Sequence, residues 1–174
     1  DVIDFIINKG VADNGCDATS FDPTISLSAA PPPLSSYTAS TDFSGTQGYR
    51  NWYYRDSTGA LMTYDTANNR WKGSETYNLL YPQWGHPGNL SDAVRRWVAP
   101  QAATIRITGN ARDSGIGCGD GVVVSIKKGV TPLWQQTIAE GNSTGFNFDQ
   151  TTTVAGGDVI DFIINKGVAD NGCD

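Results

Sequence analysis

The sequence predicts an all-β fold, a β-sandwich or jelly roll of antiparallel strands, on three observations. Short runs rich in Val, Ile, Thr, Tyr, Phe and Trp alternate apolar and polar residues with period two. Turn signals recur between those runs, in a chain with 20 Gly and 8 Pro. No window carries the periodicity of an amphipathic helix.

Each element is justified by its own pattern. Val2 to Asn8 sets Ile3, Phe5 and Ile7 on one face with Asp4 opposite, and the same run returns at Val159 to Asn165. Arg50 to Arg55 and Leu61 to Tyr64 read as strands separated by the turn Ser57-Thr58-Gly59. In the first of these, Trp52 and Tyr54 share a face and Tyr53 takes the other, so Trp52 or Tyr54, with Trp97, is expected in the core. Asn68 to Leu90 is expected to be rich in loops. Beyond it, Ala93 to Val98 is a strand, and Thr104 to Thr108 points Ile105 and Ile107 inward. Val122, Val124 and Ile126 form another buried face, succeeded by a turn at Lys128-Gly129 and strands at Leu133 to Ile138 and Gly145 to Phe148. Gly156-Gly157 and Asn171-Gly172 supply the last turns.

Domain organisation rests on an internal repeat. Asp1 to Asp17 reads DVIDFIINKGVADNGCD, and Asp158 to Asp174 is identical at all 17 positions, an offset of 157 residues. That period is the size of one ordinary domain. Residues 1–27 therefore read as the C-terminal strands of a preceding repeat, or as a donor segment. Residues 28–36, with Pro31-Pro32-Pro33, read as a semi-rigid polyproline linker, and 37–174 as a module without its own last strand. The candidate for that strand is Thr24, Ile25, Ser26 and Leu27, an inter-unit element. Three arrangements accommodate the pattern: a window on a longer array, donation of the strand to a neighbouring chain, or closure of the segment onto its own module. The third makes two identical 17-residue copies compete for one position.

The repeat also fixes the cysteine arithmetic. Each unit holds two, Cys118 and Cys173, expected to pair in a disulfide, while Cys16 pairs within the preceding unit. Such a bridge would contribute roughly 4 kcal/mol in the chain-entropy model. It places the protein outside the cell or on its surface. A net charge of −6 argues against a nucleic-acid partner, which needs a basic footprint. No apolar run is long enough to insert as a membrane-spanning helix.

Catalytic chemistry has little to stand on, and the chain is expected not to be an enzyme. There is one His, His86 in Trp84-Gly85-His86-Pro87-Gly88, expected to hold a turn, and no nucleophile elbow accompanies it. Only two Glu are present, Glu75 and Glu140, with no zinc or phosphate-loop spacing. Aromatic residues are the better lead, because flat sugar faces stack on Trp and Tyr. Trp71, Tyr81 and Trp84, in the stretch expected to be loop-rich, are the candidate glycan contacts. The acidic loops holding Asp113 and Asp120, and Asp170 and Asp174, would meet if the disulfide forms. Clustered carboxylates of this kind suit a structural calcium.

Several segments carry a resemblance. They are Phe43-Ser44-Gly45-Thr46-Gln47-Gly48, Asn51-Trp52-Tyr53-Tyr54, His86-Pro87-Gly88, Val94-Arg95-Arg96-Trp97, Gly119-Asp120-Gly121-Val122 and Asp158-Val159-Ile160-Asp161-Phe162. With the Phe21 to Ile25 tail, the pattern resembles carbohydrate-binding-module-like β-sandwich repeats of secreted bacterial polysaccharide-acting enzymes and large surface proteins. The resemblance implies glycan binding without catalysis and a secreted bacterial origin. Two functions are therefore expected. One is a structural or adhesive repeat module whose partners are neighbouring copies of itself, joined in a tandem array or a filament, the latter by strand donation. The other is a carbohydrate-binding module of a secreted glycan-degrading enzyme, whose partner is a polysaccharide.

Overall fold

The computed structural model describes residues 36–115, 119–168 and 171–172. The chain divides into two compact units, Asp1–Pro32 and Pro33–Asp174, and the described residues all belong to the second. That unit is all-β, as expected. Among the described residues a short 3₁₀ turn, Tyr49–Asn51, precedes eleven strands. In chain order they are β1 (Trp52–Asp56), β2 (Thr63–Asp65), β3 (Arg70–Lys72), β4 (Leu79–Leu80), β5 (Gly85–His86), β6 (Ala93–Val98), β7 (Ala103–Ala111), β8 (Val122–Lys128), β9 (Thr131–Ile138), β10 (Phe146–Val154) and β11 (Val159–Asn165).

Among the described residues every strand pairing is antiparallel. A five-stranded sheet runs in the order β1-β6-β11-β8-β9, a second pair is β10-β7, and a small sheet is β2-β3-β4-β5. Register explains which side chains share the inner face. Trp52 lies opposite Trp97, which lies opposite Ile160, and Tyr54 lies opposite Arg95, which lies opposite Phe162. Phe162 in turn faces Ile126, and Ile126 faces Trp134. This row joins Met62, just before β2, Trp71 and Leu80 of the small sheet, Ile105 and Ile107 of β7 and Phe148 of β10 in one hydrophobic core. Fully burying a side chain of this size stabilises by about 1.5–3 kcal/mol. Both Trp52 and Tyr54 are core residues, where one was expected.

On the other face of the five-stranded sheet, Arg96 and Asp161 pair across β6 and β11 in a two-pronged contact, Nε–Oδ1 and Nη2–Oδ2 both at 2.7 Å. The hydrogen bond and the charge of Asp161 raise the Arg96 pKa above its ordinary value. The turn expected at Ser57 to Gly59 forms around buried Asp56, whose Oδ1 accepts from the Thr58 amide (2.9 Å) and hydroxyl (2.6 Å) and from the Ala60 amide (3.2 Å). At Gly121, which has φ +95°, any Cβ would run into the Ile138 carbonyl oxygen, so only glycine lets β8 start there.

The stretch 68–90 is rich in loops, as expected, although the short strands β3, β4 and β5 are laid down within it. They are two or three residues long, too short to show a period in sequence. One expectation is corrected: β10 runs to Val154, well past the expected end at Phe148. Its second half, Asp149 to Thr153, is polar on both faces of the alternation but ladders against β7 residue by residue.

Candidate functional site

The three aromatic candidates separate into two environments. Trp71 is 3 % exposed, so it cannot offer a face to a sugar, and its assignment as a glycan contact is corrected. Its ring stacks on Tyr54, and its Nε1 donates to the Ser44 carbonyl oxygen at 2.9 Å. The polar neighbours Asn68, Asn69 and Gly73 gave it the look of a loop residue. Alternation in β3 turns it inward instead, between Arg70 and Lys72.

Tyr81 and Trp84 are brought together. They flank the turn between β4 and β5, which the Tyr81 amide closes by donating to the Trp84 carbonyl oxygen at 2.8 Å. Pro82 within that turn restricts its backbone. The two rings lie nearly parallel, centroids 3.9 Å apart and planes at 13°. Trp84 remains 45 % exposed. The pair is held from two sides. Arg70 Nη1 donates to the Tyr81 hydroxyl oxygen at 2.9 Å, while its Nε donates to Asp65 Oδ2 at 3.0 Å. Asp65 also accepts from the Asn68 side-chain amide at 2.8 Å. These bonds, the Asn68 one foremost, hold the Asp65 carboxyl below its usual range.

The second support is Arg95, which sequence reasoning left unassigned. It projects from the inner face of β6, its guanidinium 5.7 Å from the Tyr54 ring centre and 5.9 Å from that of Phe43. Its Nε is fully buried, and desolvation pulls its pKa down. Its two terminal nitrogens donate to carbonyl oxygens of the aromatic turn, Nη2 to Tyr81 at 2.5 Å and Nη1 to Pro82 at 3.2 Å. A cation on a core-facing strand position gave no sequence signal, since the residue type suggests solvent. Chemically the assembly is a fixed aromatic plate edged by Arg70, Asp65 and Asn68, which suits stacking plus hydrogen bonding.

A shallow cleft of about 350 Å³ lies elsewhere on the module, lined by Ser74, Glu75, Thr76, Tyr77, Asn89 and Asn171. Glu75 accepts from the Leu90 amide (3.0 Å) and the Ser91 hydroxyl (2.7 Å). Burial pushes its carboxyl up, but these bonds together outweigh that and leave it below its ordinary value. Asn171 is buried there, donating to Asn89 Oδ1 and to the Pro87 carbonyl oxygen, both at 2.9 Å. His86 Nδ1 sits 2.8 Å from the same Pro87 oxygen, in the Pro/Gly turn where the sequence placed it.

Of the acidic candidates, Asp113 directs both carboxylate oxygens at backbone amides, Oδ1 at Gly115 (2.9 Å) and Oδ2 at Gly141 (2.7 Å). Asp120 is exposed. Among the described residues no group of three His, Cys, Asp or Glu side chains could hold a metal. Asp170 and Asp174, which completed the expected calcium set, lie outside the described residues. So do Cys16, Cys118 and Cys173 and the strand candidate Thr24, Ile25, Ser26 and Leu27.

No protein-family model, curated protein or solved structure matches the chain.

Proposed function

We propose that this chain is a non-catalytic structural or adhesive repeat module of an extended array outside the cell, each unit an antiparallel β-sandwich joined to the next through a Pro-rich spacer. The observation that carries this reading is the identity of Asp1–Asp17 with Asp158–Asp174. The repeated segment is not a linker. Its second copy contains β11, the central strand of the five-stranded sheet. A unit that recurs with its core strand unchanged suits a role in which length and interchangeable units matter. The intact mass of the native material, measured in denaturant with and without reductant, tests it. A mass of many 157-residue periods supports a covalent array. A mass near 18.6 kDa makes the chain a discrete subunit, and the array must then be built by exchange between chains. A discrete subunit that stays monomeric at every concentration removes the reading.

A second reading, glycan binding, is favoured by the half-exposed Tyr81–Trp84 stack. Weak binding at each unit would be multiplied along an array by effective concentration. If the protein retains polysaccharides on a gel or an array of glycans, Trp84→Ala is expected to weaken that binding about tenfold, equivalent to about 1.4 kcal/mol for a lost stacking contact. Unchanged binding in that variant removes the plate as the site.

A further inference from the structure

The strands of this module are nested. The hairpin β8–β9 is enclosed in sequence by the pair β7–β10, and that pair by β6–β11. Successive pairs alternate between layers: β8–β9 and β6–β11 belong to the five-stranded sheet, and β7–β10 to the layer across the core. This is the rolled ribbon of a jelly roll. Within the five-stranded sheet the order is β6-β11-β8-β9, so the later strand of the outer pair lies against the earlier strand of the inner one. The same order in the opposite layer places the strand next after β11 against β7.

Among the described residues β7 is paired along one edge only, with β10. Its inward residues Ile105 and Ile107 join the core yet are only partly buried. The repeat supplies the sequence of the strand next after β11. Past the first copy of the 17 residues the chain reads Ala18-Thr19-Ser20-Phe21-Asp22-Pro23-Thr24-Ile25-Ser26-Leu27. Its last four residues alternate polar and apolar with the period of a strand.

We propose that Thr24–Leu27 of a second copy of the chain docks antiparallel along the edge of β7 away from β10. Ile25 and Leu27 then turn inward beside Ile105 and Ile107, and Thr24 and Ser26 outward beside Thr104, Arg106 and Thr108. This rests on the repeat-array reading and assigns its joint. Backbone hydrogen bonds supply the attachment and the two apolar side chains set the register.

The test uses the 174-residue chain, by amide hydrogen exchange combined with sedimentation. The β7 amides that point away from β10 are expected to be protected where the chain assembles and to lose protection on dilution to monomer. Ile25→Pro removes a ladder donor from the incoming strand. It is expected to abolish assembly and speed exchange of those amides about a hundredfold or more, leaving the β10-facing amides unchanged. Adding a peptide spanning Ala18–Ser28 to that variant is expected to restore protection, which separates a lost strand from a misfolded chain. Outward β7 amides that exchange freely in assembled wild-type chain overturn this joint while the array reading stands. Protection that persists in the monomer overturns the second copy as donor. A chain that never assembles, with a native mass of one unit, removes the array reading itself.

Discussion

Tyr54 and Trp71 lie face to face, ring centroids 4.9 Å apart and planes 11° from parallel, and so tie the five-stranded sheet to the small sheet beside it. Phe43 meets the Tyr54 ring edge-on at 5.2 Å, so this aromatic group closes one end of the core. Trp71→Ala is expected to cost about 3–5 kcal/mol, as for other large buried aromatics, and Trp71→Phe clearly less. Urea unfolding monitored by far-UV circular dichroism measures both. A loss under about 1 kcal/mol for the alanine variant would show that the small sheet contributes little to the fold.

Arg95 should behave as a structural cation. Its guanidinium reaches two carbonyl oxygens of the Tyr81–Pro82 turn, which a lysine cannot do in the same flat geometry. Arg95→Lys is expected to cost about 1.5–3 kcal/mol and to loosen the turn carrying Trp84. Acrylamide quenching of tryptophan fluorescence would rise, and a Trp84→Phe background identifies the contribution of that residue. Quenching unchanged by the lysine substitution would mean that the turn holds its own shape.

Arg96 and Asp161 form a pair half under cover, with Asp161 the more buried partner. Removing the arginine alone strands a carboxylate, so Arg96→Ala is expected to destabilise by about 2–3 kcal/mol. Arg96→Met combined with Asp161→Leu is expected to recover most of that, because neither charge is then left without its partner. A double variant less stable than either single one would point to a specific role for the charges.

Glu75 gives the module an acid-sensitive corner. Its folded pKa lies below its unfolded one, so the stability it contributes is fully present above the unfolded value, about 4.3. That contribution is lost as pH falls through the folded value. Glu75→Gln should therefore lower the melting temperature at pH 7 yet leave the variant with a shallower decline than wild type below about pH 4.5. Parallel melting curves of the two proteins from pH 7 to 3 decide the matter; identical slopes would refute the assignment.

Much of the fold was legible where side chains alternate strongly. The sequence pattern at Ala93–Val98 coincides with β6 to the residue, and that at Val159–Asn165 with β11. Both lie in the middle of a sheet, where one face must be apolar. The polar half of β10 was not legible, because Gln150 to Thr153 carries no hydrophobic period and is fixed by its ladder to β7. Trp71 and Trp84 illustrate the limit for the site. Both are tryptophans among polar residues, 13 positions apart, yet one is core and the other is surface. Trp71 is turned inward by the alternation of a three-residue strand paired with β4, whereas Trp84 stands in the turn before β5. Arg95 was illegible for the opposite reason: its charge argued for solvent, while its register opposite Tyr54 places it over the core.

The nesting of strands also bears on how the module is made. Trp52 and Phe162 meet ring to ring, at 5.8 Å, although they stand far apart in the chain. Contacts of such range close slowly, after the local hairpin β8–β9 has formed. During that interval the slot for β11, between β6 and β8, stands empty. Asp1–Asp17 spells the same strand as Asp158–Asp174, so the waiting slot is offered two indistinguishable candidates. Tandem neighbours of high identity are prone to this kind of misassembly. The order in which segments leave the ribosome, and the reach of a Pro-rich spacer, then decide which copy is taken up first.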